Sequence, residues 1–305
     1  MDQQQTYLLN GLLARQFGLG RIVRFREVKR GRQAVTFEVM TAQQNEYLVY
    51  LYPAVYRVDQ LAFMAGVLNG LDRERFTVVP MVAGKHGDFV GEGPQGTRMM
   101  VSLGTEGSVM PREQLTAHDV SQVGLRLAWM HRLLKEHVEL PEAGAEMAEL
   151  VEEALEEGER APAIEGEARA TLLTALRMPL AGGAGWVHGD VQAEALLHDA
   201  DRQLRTVVDW GLLHVGSPLE DVVDALWMLC GDGEGMLDRD KAGALLEAYD
   251  SLSPVKQVAW TPVVAAWCGR RVLDAAAGRR AAPGGLARVA GAPERVGVAI
   301  ASCIG

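Results

Sequence analysis

Trp186-Val187-His188-Gly189-Asp190, followed by Val207-Val208-Asp209-Trp210, is the stretch whose reading decides the fold of this chain. Val187 closes an apolar run that leads into His188-Gly189-Asp190, and Leu196-Leu197 opens a short strand. His198-Asp199-Ala200-Asp201 supplies turn chemistry, and Leu204 to Val208 returns as a second strand ending on Asp209. Each apolar run therefore delivers one carboxylate. Two acids presented at the ends of a tight hairpin suit metal-assisted phosphoryl transfer, one as base and one as metal ligand. The plainer alternative is an Asp in a turn and an Asp capping a strand end.

Beyond the hairpin, Leu219 to Leu229, Asp240 to Leu252 and Val255 to Ala277 carry apolar residues at helical period, with Ser253-Pro254 as a helix-start signal. The tail from Gly278 is rich in Arg, Ala and Gly and only weakly patterned. Upstream, Val120, Val123, Leu127, Met130, His131 and Leu134 recur at three- and four-residue steps. Glu142 to Glu167 is strongly acidic, which reads as a solvated helix face or as an acidic lip for a cationic substrate. The N-terminal third reads differently. Thr6 to Phe17 and Val58 to Leu71 have helical period, and Ile22–Val28, Val35–Met40, Tyr47–Tyr52, Phe76–Ala83 and Thr97–Leu103 read as strands. The expectation is an α+β chain in two lobes. Residues 1–103 form a small antiparallel lobe of five strands with one inserted helix, and residues 104–305 form a larger, mostly helical lobe carrying the hairpin.

The totals agree with a globular enzyme of two domains: 305 residues, 48% hydrophobic and 23% charged. A formal charge of −10 argues against nucleic acid as a partner. No apolar run approaches a membrane span; the longest candidate, near Val255 to Leu273, holds Pro262, Arg270 and Arg271. The N-terminus lacks the pattern of a signal peptide, so the expected location is cytoplasmic. Cys230, Cys268 and Cys303 have no CxxC spacing and read as reduced thiols.

His188-Gly189-Asp190, Val208-Asp209-Trp210 and Gly216-Ser217-Pro218-Leu219-Glu220-Asp221 together resemble the core of the aminoglycoside phosphotransferase, choline kinase and homoserine kinase-like superfamily, which has a protein-kinase-like fold. Gly31 to Phe37 resembles the nucleotide loop and second strand of that family, and Leu127 to Arg132 its Leu-x-His-Arg-type helix end. The resemblance implies a phosphotransferase that uses ATP and Mg2+ on a small-molecule hydroxyl. It gives Asp190 the role of base, and Asp209 that of magnesium ligand. His188 shapes the loop, Asp221 supports it, and Gly31, Arg30 and Arg32 lie on the nucleotide side.

The departures from the family pattern are equally specific. The second magnesium ligand, an Asn, falls on Ala195, and a methyl cannot coordinate a hard cation. The strand cation falls on Tyr50, its helix partner on Met64, and the nucleotide-loop Asn on Ala34. Two readings follow: a phosphotransferase whose phosphate cation has moved to Lys29, Arg30 or Arg32, or a pseudokinase that keeps the fold as a binding module. A third class, a metal-dependent hydrolase built on His188, Asp190, Asp209 and His214, lacks a supporting ligand cluster.

Overall fold

In a computed structural model, residues 3–28, 33–74, 76–141, 147–179, 182–231, 236–283 and 285–304 are described. The chain opens with α1 (Gln3–Gln16), β1 (Ile22–Val28), β2 (Val35–Thr41), β3 (Glu46–Tyr52), α2 (Val58–Arg73), β4 (Gly91–Glu92), β5 (Arg98–Leu103) and β6 (Ser108–Val109). Helices α3 (Ala117–His137), α4 (Met147–Glu157) and α5 (Gly166–Leu176) follow, then β7 (Gly185–Val187), β8 (Leu196–His198), β9 (Leu204–Val207) and β10 (His214–Gly216). The chain ends in α6 (Leu219–Ala225), α7 (Arg239–Asp250), α8 (Trp260–Ala276), α9 (Leu286–Ala290) and α10 (Pro293–Ala301). This is the α+β class expected, with an antiparallel sheet early and helices predominating later.

The chain divides into two compact units: residues 1–109 with 194–211, and residues 110–193 with 212–305. The first is built on a five-stranded antiparallel sheet of order β1-β2-β3-β5-β4. Alternation along β3 assigns its two faces. Val49 and Leu51 join Leu9, Leu13 and Phe17 of α1 with Phe37, Val39, Met99 and Val101 in one apolar cluster. Tyr50 and Tyr52 point the other way, to a cavity that Met64 and Leu68 of α2 also line. The hairpin β8–β9 adds a second small sheet with β6, and Leu197 and Val208 pack on Val79 there.

One strand differs from expectation. Phe76 to Ala83 forms only a single bridge, Met81 to Ser102, and the fifth strand is β4 in the Gly-rich segment. Pro80 has no amide to give a ladder. Asn69 also takes both backbone groups of Met81: its Oδ1 accepts from the Met81 amide at 2.7 Å, and its Nδ2 donates to the Met81 carbonyl at 3.1 Å.

The second unit packs α3 against α7 and gathers α4, α5, α6, α9 and α10 on α8. Thr116 starts α3 with a capping box: its hydroxyl accepts from the Asp119 amide, and Asp119 Oδ2 accepts from the Thr116 amide at 2.7 Å. Gly124 lets α7 approach closely, since a Cβ there would lie 2.2 Å from the Leu245 carbonyl oxygen, a position no side chain can share. Helix α8 begins at Trp260, later than Ser253-Pro254 suggests. The amide of Val255 is taken by Asp250 Oδ1 at 2.7 Å, which ties residues 250–255 into a turn. No described helix is long and apolar enough to cross a membrane.

Candidate functional site

Asp190 lies in the second unit, just beyond β7, which pairs antiparallel with β10 (Val187 opposite His214). Its loop carries its own amides on side chains. Asp221, at the start of α6, accepts from the His188 amide at 2.7 Å and the Gly189 amide at 2.8 Å. Asp224, one turn on, accepts from the Val191 amide at 2.7 Å. The Asp190 amide donates to His188 Nδ1 at 3.2 Å. Four consecutive loop amides are thus held by side chains, and Gly189, at φ +84°, supplies the left-handed bend that lets them converge.

Asp221 is itself anchored by His131 Nε2 at 2.9 Å, and His131 Nδ1 is paired with the Tyr249 hydroxyl at 2.9 Å. Burial pushes the Asp221 carboxyl up, but the His131 hydrogen bond, the charges of His131 and His188 and the Gly189 amide outweigh it and hold the group below its usual range. Asp224 is paired with Arg271 of α8 and accepts from Trp267 Nε1 at 3.0 Å.

The side chain of Asp190 is 1% exposed. Its Oδ2 accepts from Gln192 Nε2 at 3.0 Å, and its Oδ1 lies 2.5 Å from Arg280 Nη1. The same Nη1 donates to the Gly189 carbonyl at 3.0 Å. Arg280 falls in the segment with the weakest sequence pattern, and nothing local in the sequence points to it. His214, a member of the hydrolase set, has Nδ1 on the Leu212 carbonyl at 2.8 Å and Nε2 3.6 Å from Glu220. Among the described residues no group of three or more His, Cys, Asp or Glu side chains could hold a metal ion.

Asp209 lies in the first unit, at the end of β9, with φ +68°. A non-glycine residue held there is strained, and such strain concentrates at functional positions. Gln33 folds onto it: the Gln33 amide donates to Asp209 Oδ2 at 3.3 Å, and Gln33 Nε2 donates to the Asp209 carbonyl at 2.8 Å. Gln33 lies in the Gly31 to Phe37 stretch that resembles the nucleotide loop, but nothing in the sequence points to Asp209 as its partner. Tyr50, Tyr52, Met64, Leu68, Val79 and Met81 enclose a cavity beside Asp209 of only 10 Å3, about the room of one water. Tyr50 and Met64, on which the resemblance leads one to expect the family's cation and acid, line one space. The Tyr50 hydroxyl bonds the Ser102 hydroxyl at 3.2 Å, and the Tyr50 and Tyr52 rings stack with centroids 6.3 Å apart. Burial and the Asp209 charge push the Tyr52 phenol well up, so it remains neutral.

The donor set was compared with what magnesium needs. Ala195 has no side-chain oxygen, and its carbonyl accepts from the Val208 amide at 2.9 Å. One carboxylate with phosphate and water oxygens is a workable magnesium set. Lys29, Arg30, Gly31 and Arg32 lie outside the described residues.

A sequence model of the phosphotransferase enzyme family matches residues 24–255. No curated protein matches. Among solved structures, an amicoumacin kinase in complex with AMP-PNP, Ca2+ and amicoumacin is 13% identical with a TM-score of 0.69, covering 97% of this chain and 94% of the other. A microcompartment-associated aminopropanol kinase is 16% identical with a TM-score of 0.61, covering 97% and 96%. A choline kinase from Cryptosporidium parvum Iowa II is 12% identical with a TM-score of 0.57, covering 94% and 93%. At these identities the likeness is one of fold.

Proposed function

The chain belongs to the phosphotransferase enzyme family, and from that premise we propose that it transfers the terminal phosphoryl group of ATP to a hydroxyl of a small molecule. Asp190 is the base, His188 shapes its loop, and Asp209 would hold the magnesium ion. The observation that carries this reading is the rigid loop around Asp190, whose amides at 188, 189 and 191 are fixed by Asp221 and Asp224. Phosphoryl transfer asks little covalent chemistry of a protein and much positioning, so a carboxylate on such a loop is what the reaction needs. An ionised Asp190 accepts the hydrogen bond of the substrate hydroxyl and takes its proton as the new P–O bond forms. Magnesium, when bound, neutralises charge on the phosphate oxygens. The amicoumacin kinase in complex with a nucleotide analogue and a divalent cation supports the choice of nucleotide and metal.

A second reading starts from the neutral side chains that line the cavity beside Asp209. Tyr50 and Met64 line the space in which the family's cation and acid are expected, and neither side chain is an ion. A pseudokinase would keep the fold and lose nucleotide there, unless Lys29, Arg30 or Arg32 supplies the cation. Thermal unfolding with ATP, with and without magnesium, separates the two. Magnesium-dependent stabilisation supports the phosphotransferase, and no shift at millimolar nucleotide overturns it.

A further inference from the structure

We propose that Arg280 is a substrate-binding residue that receives the carboxylate of a hydroxy acid beside Asp190. This rests on the reading of Asp190 as the base and adds the class of molecule whose hydroxyl it serves.

Charge matching comes first. Around α8 each of three carboxylates has its own guanidinium: Asp224 with Arg271, Asp274 with Arg279 and Asp190 with Arg280. A cationic substrate approaching Asp190 meets a charge already neutralised, with guanidiniums standing close by. The acidic stretch that could have favoured an amine is itself partly matched. Arg169 lies 2.7 Å from Glu156 and 3.8 Å from Glu152, and Arg177 lies 3.6 Å from Glu152.

Donor capacity comes second. A guanidinium carries five N–H donors in a planar fork. Arg280 meets both the Asp190 carboxylate and the Gly189 carbonyl through Nη1 alone. Its Nε and Nη2 have no partner among the described residues, and the side chain is 11% exposed. The Nε–Nη2 edge is the side on which a carboxylate takes two parallel hydrogen bonds. A molecule bound there presents a hydroxyl on the same chain to the neighbouring base. A hydroxy acid satisfies both groups at once, and an amino alcohol satisfies neither the edge nor the charge balance.

The test is calorimetric titration of the full-length protein, without nucleotide, with matched ω-hydroxy acids and ω-amino alcohols of equal chain length. The acids are expected to bind at least tenfold more tightly than the amines. Arg280→Gln should weaken the acids at least tenfold, and Arg280→Lys, which keeps the charge but loses the Nε–Nη2 fork, should fall between Arg280→Gln and the native protein. Unchanged acid affinity in Arg280→Gln, or no acid binding to the native protein, overturns the proposal. A tenfold gain of amine binding in Arg280→Gln also overturns it, because Arg280 would then be a plug on Asp190. Phosphoryl transfer from ATP to the bound acid is measured separately. Binding without transfer upholds the carboxylate site and counts against the phosphotransferase reading, so the two fail in distinguishable ways.

Discussion

Replacing Asp221 by Asn tests how the loop bearing Asp190 is held. Asp221 Oδ2 accepts from the His188 amide and pairs with His131, while Oδ1 accepts from the Gly189 amide. An Asn keeps one oxygen, best used where two donors meet. Its NH2 then confronts the Gly189 amide, donor against donor. A hydrogen bond to a charged group contributes about 1.5–3 kcal/mol, and a buried donor left unmet costs about 1–3 kcal/mol. The expected loss is about 2–4 kcal/mol, which lowers the thermal midpoint by roughly 3–6 °C at this size. The acid limb should change as well. The folded-state carboxyl lies below its ordinary value of 3.8, so the unfolded chain binds the proton more tightly and unfolding takes it up. Its stabilisation is full above about pH 4 and is lost as pH falls through the lower folded value. Calorimetry between pH 3 and 7 should therefore show a shallower acid limb in the Asn variant. A midpoint within about 1 °C of the native protein, with an unchanged acid limb, would refute the reasoning.

Three further outcomes are expected. Gly124→Ala drives a methyl against the Leu245 carbonyl and should cost about 1–3 kcal/mol by denaturant unfolding, with the α3–α7 contact first to open in hydrogen exchange. Tyr50→Lys places a buried cation in the cavity shared with Met64, only partly offset by Asp209, and should cost about 2–4 kcal/mol; adding Met64→Glu should recover part of it in a double-mutant cycle. Thiol reagents at pH 8 should modify partly exposed Cys303 ahead of Cys230, whose pKa burial pushes up to about 12, and of Cys268, also raised by burial, as read by mass spectrometry.

What the sequence disclosed follows from the range of the interactions involved. Strands β1, β2 and β3 are legible because apolar alternation and short turns are local signals, and α3 because Thr116 and Asp119 cap it from within four residues. That Tyr50 and Met64 line one cavity is suggested only by the family pattern, which carries tertiary information that periodicity lacks. Phe76 to Ala83 looks like a strand in composition, and what prevents it is Pro80 together with Asn69, a residue on another element. The start of α8 moved for a similar reason, the grip of Asp250 on the Val255 amide. Arg280 could not be found this way, since it sits in no local motif, and the stretch that resembles the nucleotide loop contains Gln33 without indicating its partner; the partners of the two are 90 and 176 positions away.

The central claim, that Asp190 serves phosphoryl transfer, is tested most directly by following radiolabelled γ-phosphate from ATP into a panel of small hydroxyl compounds with the native protein and Asp190→Asn. The account predicts magnesium-dependent transfer by the native protein that falls at least about 100-fold in the variant, consistent with loss of a positioned base, while nucleotide affinity is retained. Equal transfer by both proteins, or none by the native protein on any acceptor, would contradict it.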